Sequence, residues 1–221
     1  EKGGALLVPN HVSFADGLFL IASVDRPVRF IVDESYFHHP VLRPFMKFLG
    51  AIPISSSGGP RVVLRALREA EAYLDEGEVV CVFAEGQITR TGMLQPFRRG
   101  IERIVKGRMS PIIPVHLDRV WGSIFSYSGG RFVTKLPERI PYPVTVTFGE
   151  PLPPGTPIQR IRTAVQDLSE VAWSERTSDR RPLHHTLISR ARRHPFSLMF
   201  ADLYRPRLSR FGALIGSISL A

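Results

Sequence analysis

The sequence predicts an α/β fold in which helices flank a mixed, partly parallel β-sheet. Short aliphatic runs typical of buried strands alternate, through about residue 175, with segments whose apolar residues recur at helical spacing. The 221 residues are 43% apolar, which is enough for one sizeable core with an appendage. Polar loops follow two of the predicted strands, where open α/β sheets bind their ligands.

The first predicted strand is the apolar run at residues 5–8. Residues 17–21, Gly-Leu-Phe-Leu-Ile, come after a polar turn and predict the start of a buried helix. Residues 28–32 predict a second short strand. Residues 10–16 therefore belong to a strand-to-helix turn.

Residues 36–49 are apolar on nearly every side and are interrupted by Pro40 and Pro44. Because proline breaks or kinks a helix, this pattern predicts a short, bent helical segment rather than one rod. The default interpretation is that its apolar side chains belong to the core. The alternatives are that they line an acyl-chain groove or touch a bilayer surface.

The remaining elements follow from the same periodicities. In chain order they are strand 50–55, helix 61–76 with Gly77 as its C-cap, strand 79–83, helix 98–106, strand 112–117, strand 144–148 and helix 157–174. Pro114 cannot donate to a ladder, so it predicts either a sheet edge or a point where its strand stops pairing.

The first polar turn contains His11 and, five residues later, Asp16. Five residues span about 500° of helix, so the two side chains can meet only if His11 lies in the turn and Asp16 in the first helical turn. The carboxylate would then hold one ring nitrogen, and the other would be free to accept a proton. The same residues also fit a capping box, with Ser13 as N-cap and Asp16 at N3.

The second polar loop, residues 84–92, follows the predicted strand 79–83. Gly86 would let the backbone approach a ligand closely, and Arg90 could pair with a phosphate or anchor the loop. The alternative is a merely polar loop in which Glu85 and Arg90 form a salt bridge.

Composition narrows the class of protein. The single cysteine, Cys81, excludes a disulfide framework, and no zinc-ligand spacing is present. No apolar run is long enough to predict a transmembrane helix. The net charge is +9, and residues 176–210 hold nine Arg against two Asp. Without a nucleic-acid recognition motif, this favours a solvated linker or a membrane-surface contact.

Three stretches of this chain resemble, in order and separation, the motifs of the glycerolipid acyltransferase family, over roughly residues 5–175. The family acylates glycerol phosphate and lysophospholipids. The matching residues are Asn10-His11 with Asp16, Phe83-Ala84-Glu85-Gly86 with Arg90, and Ile112-Ile113-Pro114-Val115.

The resemblance implies a mechanism. His11 would deprotonate the acceptor hydroxyl, which attacks an acyl thioester, while Asp16 holds the imidazole. The substrate hydroxyl is the nucleophile, so no protein nucleophile, metal or other cofactor is implied, and the donor would be acyl-ACP or acyl-CoA. The substrate-binding residues that the resemblance implies are Asn10, Ser13, Arg61, Glu85, Gly86, Thr89, Arg90 and Pro114. Among them, Glu85 cannot attract phosphate, and we expect it to orient hydrogen-bond donors.

Two departures from the family pattern bear on the acceptor. In the motif around Glu85, Ala84 replaces the usual Pro, and Arg90 stands further from Gly86 than in phosphatidic-acid-forming members. The family's second motif commonly ends in an acidic residue and an Arg; here it is Ile52-Pro53-Ile54-Ser55-Ser56-Ser57, with Arg61 several residues later. A weaker grip on a phosphate monoester favours a phosphodiester acceptor. The stretch from Glu85 to Gly92 resembles bacterial acyltransferase domains that reacylate lysophosphatidylethanolamine, which implies this acceptor. The alternatives are a 1-acylglycerol-3-phosphate acyltransferase and, in another class, a non-catalytic membrane-surface module.

The tail predicts further organisation. Residues 183–221 resemble the start of an adenylate-forming acyl-ligase domain, after an acyltransferase domain at 1–175 and a basic linker at 176–182. The resemblance thus implies a fragment of a longer bacterial protein. Its partners would be acyl carrier protein or coenzyme A thioesters, a lysophospholipid and the cytoplasmic face of the inner membrane.

Overall fold

The computed structural model describes residues 3–40, 42–55, 58–130, 142–176, 183–201 and 207–219. The chain divides into two compact units, Glu1–Ser174 and Glu175–Ala221. The predicted basic linker at 176–182 lies outside the described residues except for Arg176.

The first unit is built on a six-stranded sheet with the spatial order β3-β2-β4-β1-β5-β6. All neighbouring strands pair in parallel except β5 and β6, which are antiparallel, so the predicted mixed α/β fold is confirmed. The strands are β1 (Ala5–Pro9), β2 (Val28–Asp33), β3 (Ile52–Ile54), β4 (Val79–Cys81), β5 (Ile112–Asp118) and β6 (Thr145–Phe148).

Helices connect and cover these strands. They are α1 (Asp16–Ile21), α2 (Ser35–His38), α3 (Leu42–Phe48), α4 (Gly59–Asp75), α5 (Gly100–Val105) and α6 (Ile158–Ser174), with a 3₁₀ turn at Ser128–Gly130. Pro40 precedes the separate α3, in agreement with the predicted bent segment. In α4 the residues Ala66, Leu67, Ala70 and Leu74 form one buried face, and Gly77 leaves the helix at φ +82°.

The core has two halves because successive strand side chains point to opposite faces of the sheet. Leu6 and Val8 of β1 belong to the half under α4, α5 and α6, whereas Leu7 belongs to the half that includes Leu20 of α1. Both faces of β1 are therefore covered, as expected for a central strand of a parallel sheet.

Three local predictions differ from the structure. The helix at residues 17–21 is not buried throughout, because Leu18 is 54% exposed and lines a cavity. The helix predicted from residue 98 begins only at Gly100, because the N–H of Arg98 donates to the carbonyl of Ala84 at 2.8 Å. Pro114 is not on a sheet edge, since β5 lies between β1 and β6.

The second interpretation, that the strand stops pairing at Pro114, is wrong too. Pro114 pairs with Val8 of β1, its carbonyl accepts from the N–H of Gly149 at 2.9 Å, and β5 continues to Asp118. On the β6 side it lies between the isolated bridge of Ile112 with Leu152 and the pair Val115 with Phe148, where a missing N–H is tolerated.

The second unit contains α7 (Leu183–Arg193), the two-stranded sheet of β7 (Leu198–Phe200) and β8 (Leu208–Ser209), and α8 (Arg210–Ser219). Its identity as the start of an acyl-ligase domain stays a prediction. No helix within the described ranges of either unit has the length and apolarity needed to span a bilayer.

Candidate active site

The two polar loops meet because β1 and β4 are parallel neighbours in the sheet. Leu7 of β1 pairs with Cys81 of β4, and His11 and Glu85 each follow four residues after these partners. The carboxyl ends of parallel strands lie at the same edge of a sheet, so both loops come to one place.

Asp16 holds the turn and the imidazole together. Its Oδ2 accepts from His11 Nδ1 at 2.9 Å and from the backbone N–H groups of Val12 at 2.7 Å and Ser13 at 2.9 Å. Its Oδ1 accepts from the Ser13 hydroxyl at 2.7 Å. Because this carboxyl group, which is 0% exposed, acts as an acceptor throughout, Nδ1 carries the ring proton and Nε2 keeps its lone pair.

The capping and catalytic interpretations of this turn describe the same carboxylate. Helix α1 begins at Asp16 with Ala15 as its N-cap, so the predicted positions, Ser13 as N-cap and Asp16 at N3, are wrong. The bond from the Ser13 N–H to the Asp16 carboxylate nevertheless resembles one half of a capping box. The bond to His11 is additional. The imidazole also stacks on the Phe83 ring at 3.9 Å between centroids, with an interplanar angle of 22°, which restricts its rotation.

Glu85 ties the second loop to the first. Its Oε1 accepts from the backbone N–H of His11 at 2.7 Å, and its Oε2 accepts from the N–H of Gln95 at 2.7 Å. Burial raises the pKa of Glu85 to about 7, although these two donors favour the ionised form. The predicted alternative, a salt bridge from Glu85 to Arg90, is wrong, because the Arg90 guanidinium lies instead over the Tyr127 ring at 4.6 Å.

A cavity of about 500 Å³ opens beside His11. Its walls are mostly apolar side chains of α1, β2, α3 and α4, including Leu18, Ile21, Phe30, Val32, Phe45, Met46, Val63 and Leu67. Asp33, Arg90 and Arg98 are its charged lining residues. The cavity therefore combines a base, apolar walls and cationic groups.

Gly86 and Arg98 are in close contact within this cavity. Gly86 has a φ of +71°, and a Cβ added there would lie 2.4 Å from Arg98 Nε. Only glycine combines this backbone conformation with room for the guanidinium. Sequence reasoning missed Arg98, because it lies 12 residues after Gly86 in a segment predicted to be helical. A basic residue shortly after the Glu-Gly motif was the one available signal.

The other predicted substrate residues lie away from the cavity lining. Asn10 uses its side chain to bond both the carbonyl and the N–H of Leu117, at 3.1 and 2.7 Å. The Thr89 hydroxyl donates to the carbonyl of Met93 at 2.9 Å. Ser13 contacts Asp16, Pro114 lies in β5, and Arg61 is exposed on α4 outside the lining.

These placements change the roles that we assign. His11, Gly86 and Arg90 share the cavity, as the resemblance implies for a reaction site. Asn10, Ser13, Glu85 and Thr89 are nearly fully buried, and their side chains bond groups of the protein itself. The Thr89 N–H also donates to the carbonyl of His11 at 2.9 Å.

Known proteins share this fold and parts of this sequence. A relative from Brassica napus, 1-acyl-sn-glycerol-3-phosphate acyltransferase BAT2, is 29% identical over 110 residues, which cover 50% of this chain and 31% of that protein. A 1-acyl-sn-glycerol-3-phosphate acyltransferase from Limnanthes douglasii is 24% identical over 68% of this chain and 51% of its own length. The chain thus spans about a third of the length of the first relative and about half of the length of the second.

The structural comparison agrees with the sequence comparisons. The crystal structure of the 1-acyl-sn-glycerophosphate acyltransferase PlsC from Thermotoga maritima matches with a TM-score of 0.61 and 22% identity, over 82% of this chain and 69% of that one. This match concerns the fold. The family model described as Acyltransferase matches residues 1–118, which include both polar loops and all of β5. The chain therefore belongs to the acyltransferase family.

Proposed function

We propose that this chain transfers a fatty acyl group from a thioester to the free hydroxyl of a 1-acylglycerol 3-phosphate. The observation that carries the proposal is that His11, ordered by Asp16, lines one apolar cavity together with Arg90 and Arg98. A base, a hydrophobic wall and two guanidinium groups are what a phosphorylated, acylated alcohol requires of its binding site.

The proposed step begins at Nε2 of His11. This nitrogen takes the proton of the acceptor hydroxyl as its oxygen attacks the thioester carbonyl. The tetrahedral intermediate then expels the thiolate, which takes the proton back from the imidazolium. Asp16 stabilises the imidazolium and fixes the ring. Because the nucleophile is the substrate oxygen, no acyl-enzyme forms.

The acceptor in this proposal differs from the one that the sequence motifs favoured. The position of Arg61 and the longer spacing to Arg90 suggested a weak grip on a phosphate monoester. In the structure, however, Arg98 lies beside Gly86 and lines the cavity with Arg90. Neither guanidinium has an ion pair with another described residue, so both are available to a dianion. The curated relatives, which are named as 1-acylglycerol-3-phosphate acyltransferases, support the same acceptor.

A second candidate is lysophosphatidylethanolamine, and one observation favours it. Asp33 is exposed at the end of β2 and lines the same cavity as the two arginines. A carboxylate facing a phosphate site could pair with the ammonium of an ethanolamine headgroup. The acceptor preference of an Asp33→Asn variant separates the two candidates, because the loss of this charge would weaken only the zwitterionic acceptor.

The decisive experiment measures acyl transfer by the wild-type chain and by His11→Ala. Both acceptors are presented in detergent micelles with acyl-ACP and acyl-CoA as donors. We expect transfer to the phosphate monoester, its loss in His11→Ala, and a raised acceptor KM in Arg98→Ala. Arg68→Ala, on an exposed part of α4 outside the cavity lining, is the matched control. Transfer that survives in a folded His11→Ala variant would refute the mechanism.

A further inference from the structure

A third loop lies against the two polar loops of the site. It covers residues 119–130, from the end of β5 into the 3₁₀ turn, and none of the motifs that carry the family resemblance includes it. The first polar loop contacts it where the N–H of Phe14 donates to the carbonyl of Phe125 at 3.1 Å. The second contacts it at Gly92, where an added Cβ would lie 2.8 Å from the Trp121 ring. The three loops follow β1, β4 and β5, whose carboxyl ends share one edge of the sheet.

Tyr127 brings this third loop to the cavity. Its ring meets the Phe14 ring edge-on, with the centroids 5.8 Å apart and an interplanar angle of 61°. The guanidinium carbon of Arg90 lies 4.6 Å from the centroid of the same tyrosine ring. All three residues line the cavity. One aromatic ring therefore joins the turn that contains His11 to a cation of the second polar loop.

Arg90 depends on this ring for its position. No hydrogen bond or ion pair joins its exposed side chain to another described residue. A long side chain without such partners loses conformational entropy when a ligand orders it, and this loss weakens binding. The face of an aromatic ring attracts a guanidinium without using a hydrogen-bond acceptor, so the N–H groups stay available to a phosphate.

The third loop also fixes the position of Tyr127 itself. The neighbouring Ser126 is 0% exposed, and its hydroxyl accepts from the N–H of Gly122 at 3.0 Å and donates to the carbonyl of Ser123 at 2.9 Å. The backbone N–H of Ser126 donates to the same carbonyl at 3.1 Å. These bonds close the turn immediately before Tyr127, so the ring is a preorganised support for the cation that it contacts.

We propose that Tyr127 is a positioning residue for the phosphate of the acceptor. Its ring holds the Arg90 guanidinium at the cavity that Arg98 also lines, so that the cation is ordered before the acceptor binds. The inference rests on the phosphorylated acceptor of the proposed function and adds the group that orders its binding site. Because the ring acts through Arg90, its loss should weaken acceptor binding and leave the chemical step unchanged.

Equilibrium binding without a thioester donor tests this role in the absence of turnover. Calorimetry compares two probes in the same detergent micelles: a 1-acylglycerol 3-phosphate and the 1-acylglycerol with the same acyl chain. We expect Tyr127→Leu to weaken binding of the phosphorylated probe roughly three- to tenfold and to leave the neutral probe unaffected. Tyr127→Phe keeps the ring and should bind both probes within about twofold of wild type. Equal losses for the two probes, or the same loss in Tyr127→Phe, would overturn the proposal.

A double-mutant cycle tests whether the ring acts through Arg90. In an Arg90→Gln background, Tyr127→Leu should have no further effect on the phosphorylated probe, and additive losses would overturn the proposal. Phe125→Leu is the matched control, because Phe125 is a 41% exposed aromatic residue of the same loop that does not line the cavity. It should bind both probes as wild type does. A loss equal to that of Tyr127→Leu would show a general effect of the loop and overturn the assignment.

Kinetics with a donor separate this inference from the proposed reaction. Tyr127→Leu should raise the KM for the phosphorylated acceptor in line with its loss of binding, while kcat stays within about twofold of wild type. A wild-type chain that transfers no acyl group but keeps the binding difference would refute only the proposed reaction. Transfer and binding that are both independent of Tyr127 would refute only its positioning role.

Discussion

Asp16→Asn removes one negative charge from the centre of the site while it keeps the size of the side chain. The structure determines how the new amide would be oriented. Oδ2 receives three donors, two of which are the backbone N–H groups of Val12 and Ser13, so an oxygen must stay there. The amide nitrogen therefore takes the Oδ1 position, where the Ser13 hydroxyl can turn to accept from it.

In this orientation the oxygen still accepts from His11 Nδ1, so the ring keeps its tautomer and only the charge is lost. A buried hydrogen bond to a charged group contributes about 1–2 kcal/mol more than one between neutral groups would. Because the imidazolium forms only in the transition state, this loss falls on kcat and amounts to roughly 5- to 30-fold. The acceptor KM should change little.

Steady-state kinetics with a lysophospholipid acceptor and a urea unfolding curve measure both quantities. Ser13→Ala is the matched control, since it removes the bond to Oδ1 but leaves the contact of Asp16 with His11 Nδ1. It should cost about 1–2 kcal/mol of stability with a kcat within about threefold of wild type. A folded Asp16→Asn enzyme with nearly wild-type kcat would show that Asp16 only caps α1, and an equal kcat loss in both variants would show a structural effect.

Three further predictions concern the surroundings of His11. Asn10→Ala leaves the carbonyl and the N–H of Leu117 without their hydrogen-bond partner. It should lower the free energy of unfolding by about 2–4 kcal/mol, which urea unfolding measures. Glu85 has its pKa raised to about 7 by burial, so the folded state keeps a proton that the unfolded chain releases above about pH 4.5. The contribution of Glu85 to the free energy of unfolding should therefore fall by up to about 3 kcal/mol as the pH rises to 7, and Glu85→Gln should abolish this fall. Parallel curves of unfolding free energy against pH for the two proteins would contradict the raised pKa of Glu85. Gly86→Ala places a Cβ against Arg98 in a backbone conformation of positive φ. It should lower the free energy of unfolding by about 1–2 kcal/mol and also lower the affinity for the phosphorylated acceptor. An unchanged acceptor KM would argue against a role for Arg98.

The elements that could be predicted are those whose signal is local. The alternation of aliphatic runs with helical periodicity was sufficient for the strands β1, β2 and β5 and for the helices α4 and α6. Element ends were less well predicted. β4 stops at Cys81 instead of Phe83, and α5 begins two residues late, because Arg98 donates its N–H to a distant loop instead of entering the helix.

The same distinction applies to the site. His11 and Asp16 could be paired from the sequence because they lie five residues apart, within one turn and the start of one helix. The bonds of Glu85 to the backbone of His11, and of Asn10 to Leu117, join positions 74 and 107 residues apart. Nothing in the residue types specifies such partners, because a carboxylate or an amide can accept from any N–H that the fold brings near.

What the sequence by itself determined is thus the α/β class, the pairing of His11 with Asp16, and the family motifs that contain them. Only the tertiary structure decided that β4 lies beside β1, that the side chains of Glu85 and Asn10 bond distant backbone groups, and that Arg98 joins Arg90 at the cavity. The physical reason is that side-chain periodicity and short-range hydrogen bonds depend on neighbouring residues, whereas strand order is set by how all the apolar faces of the chain are buried together.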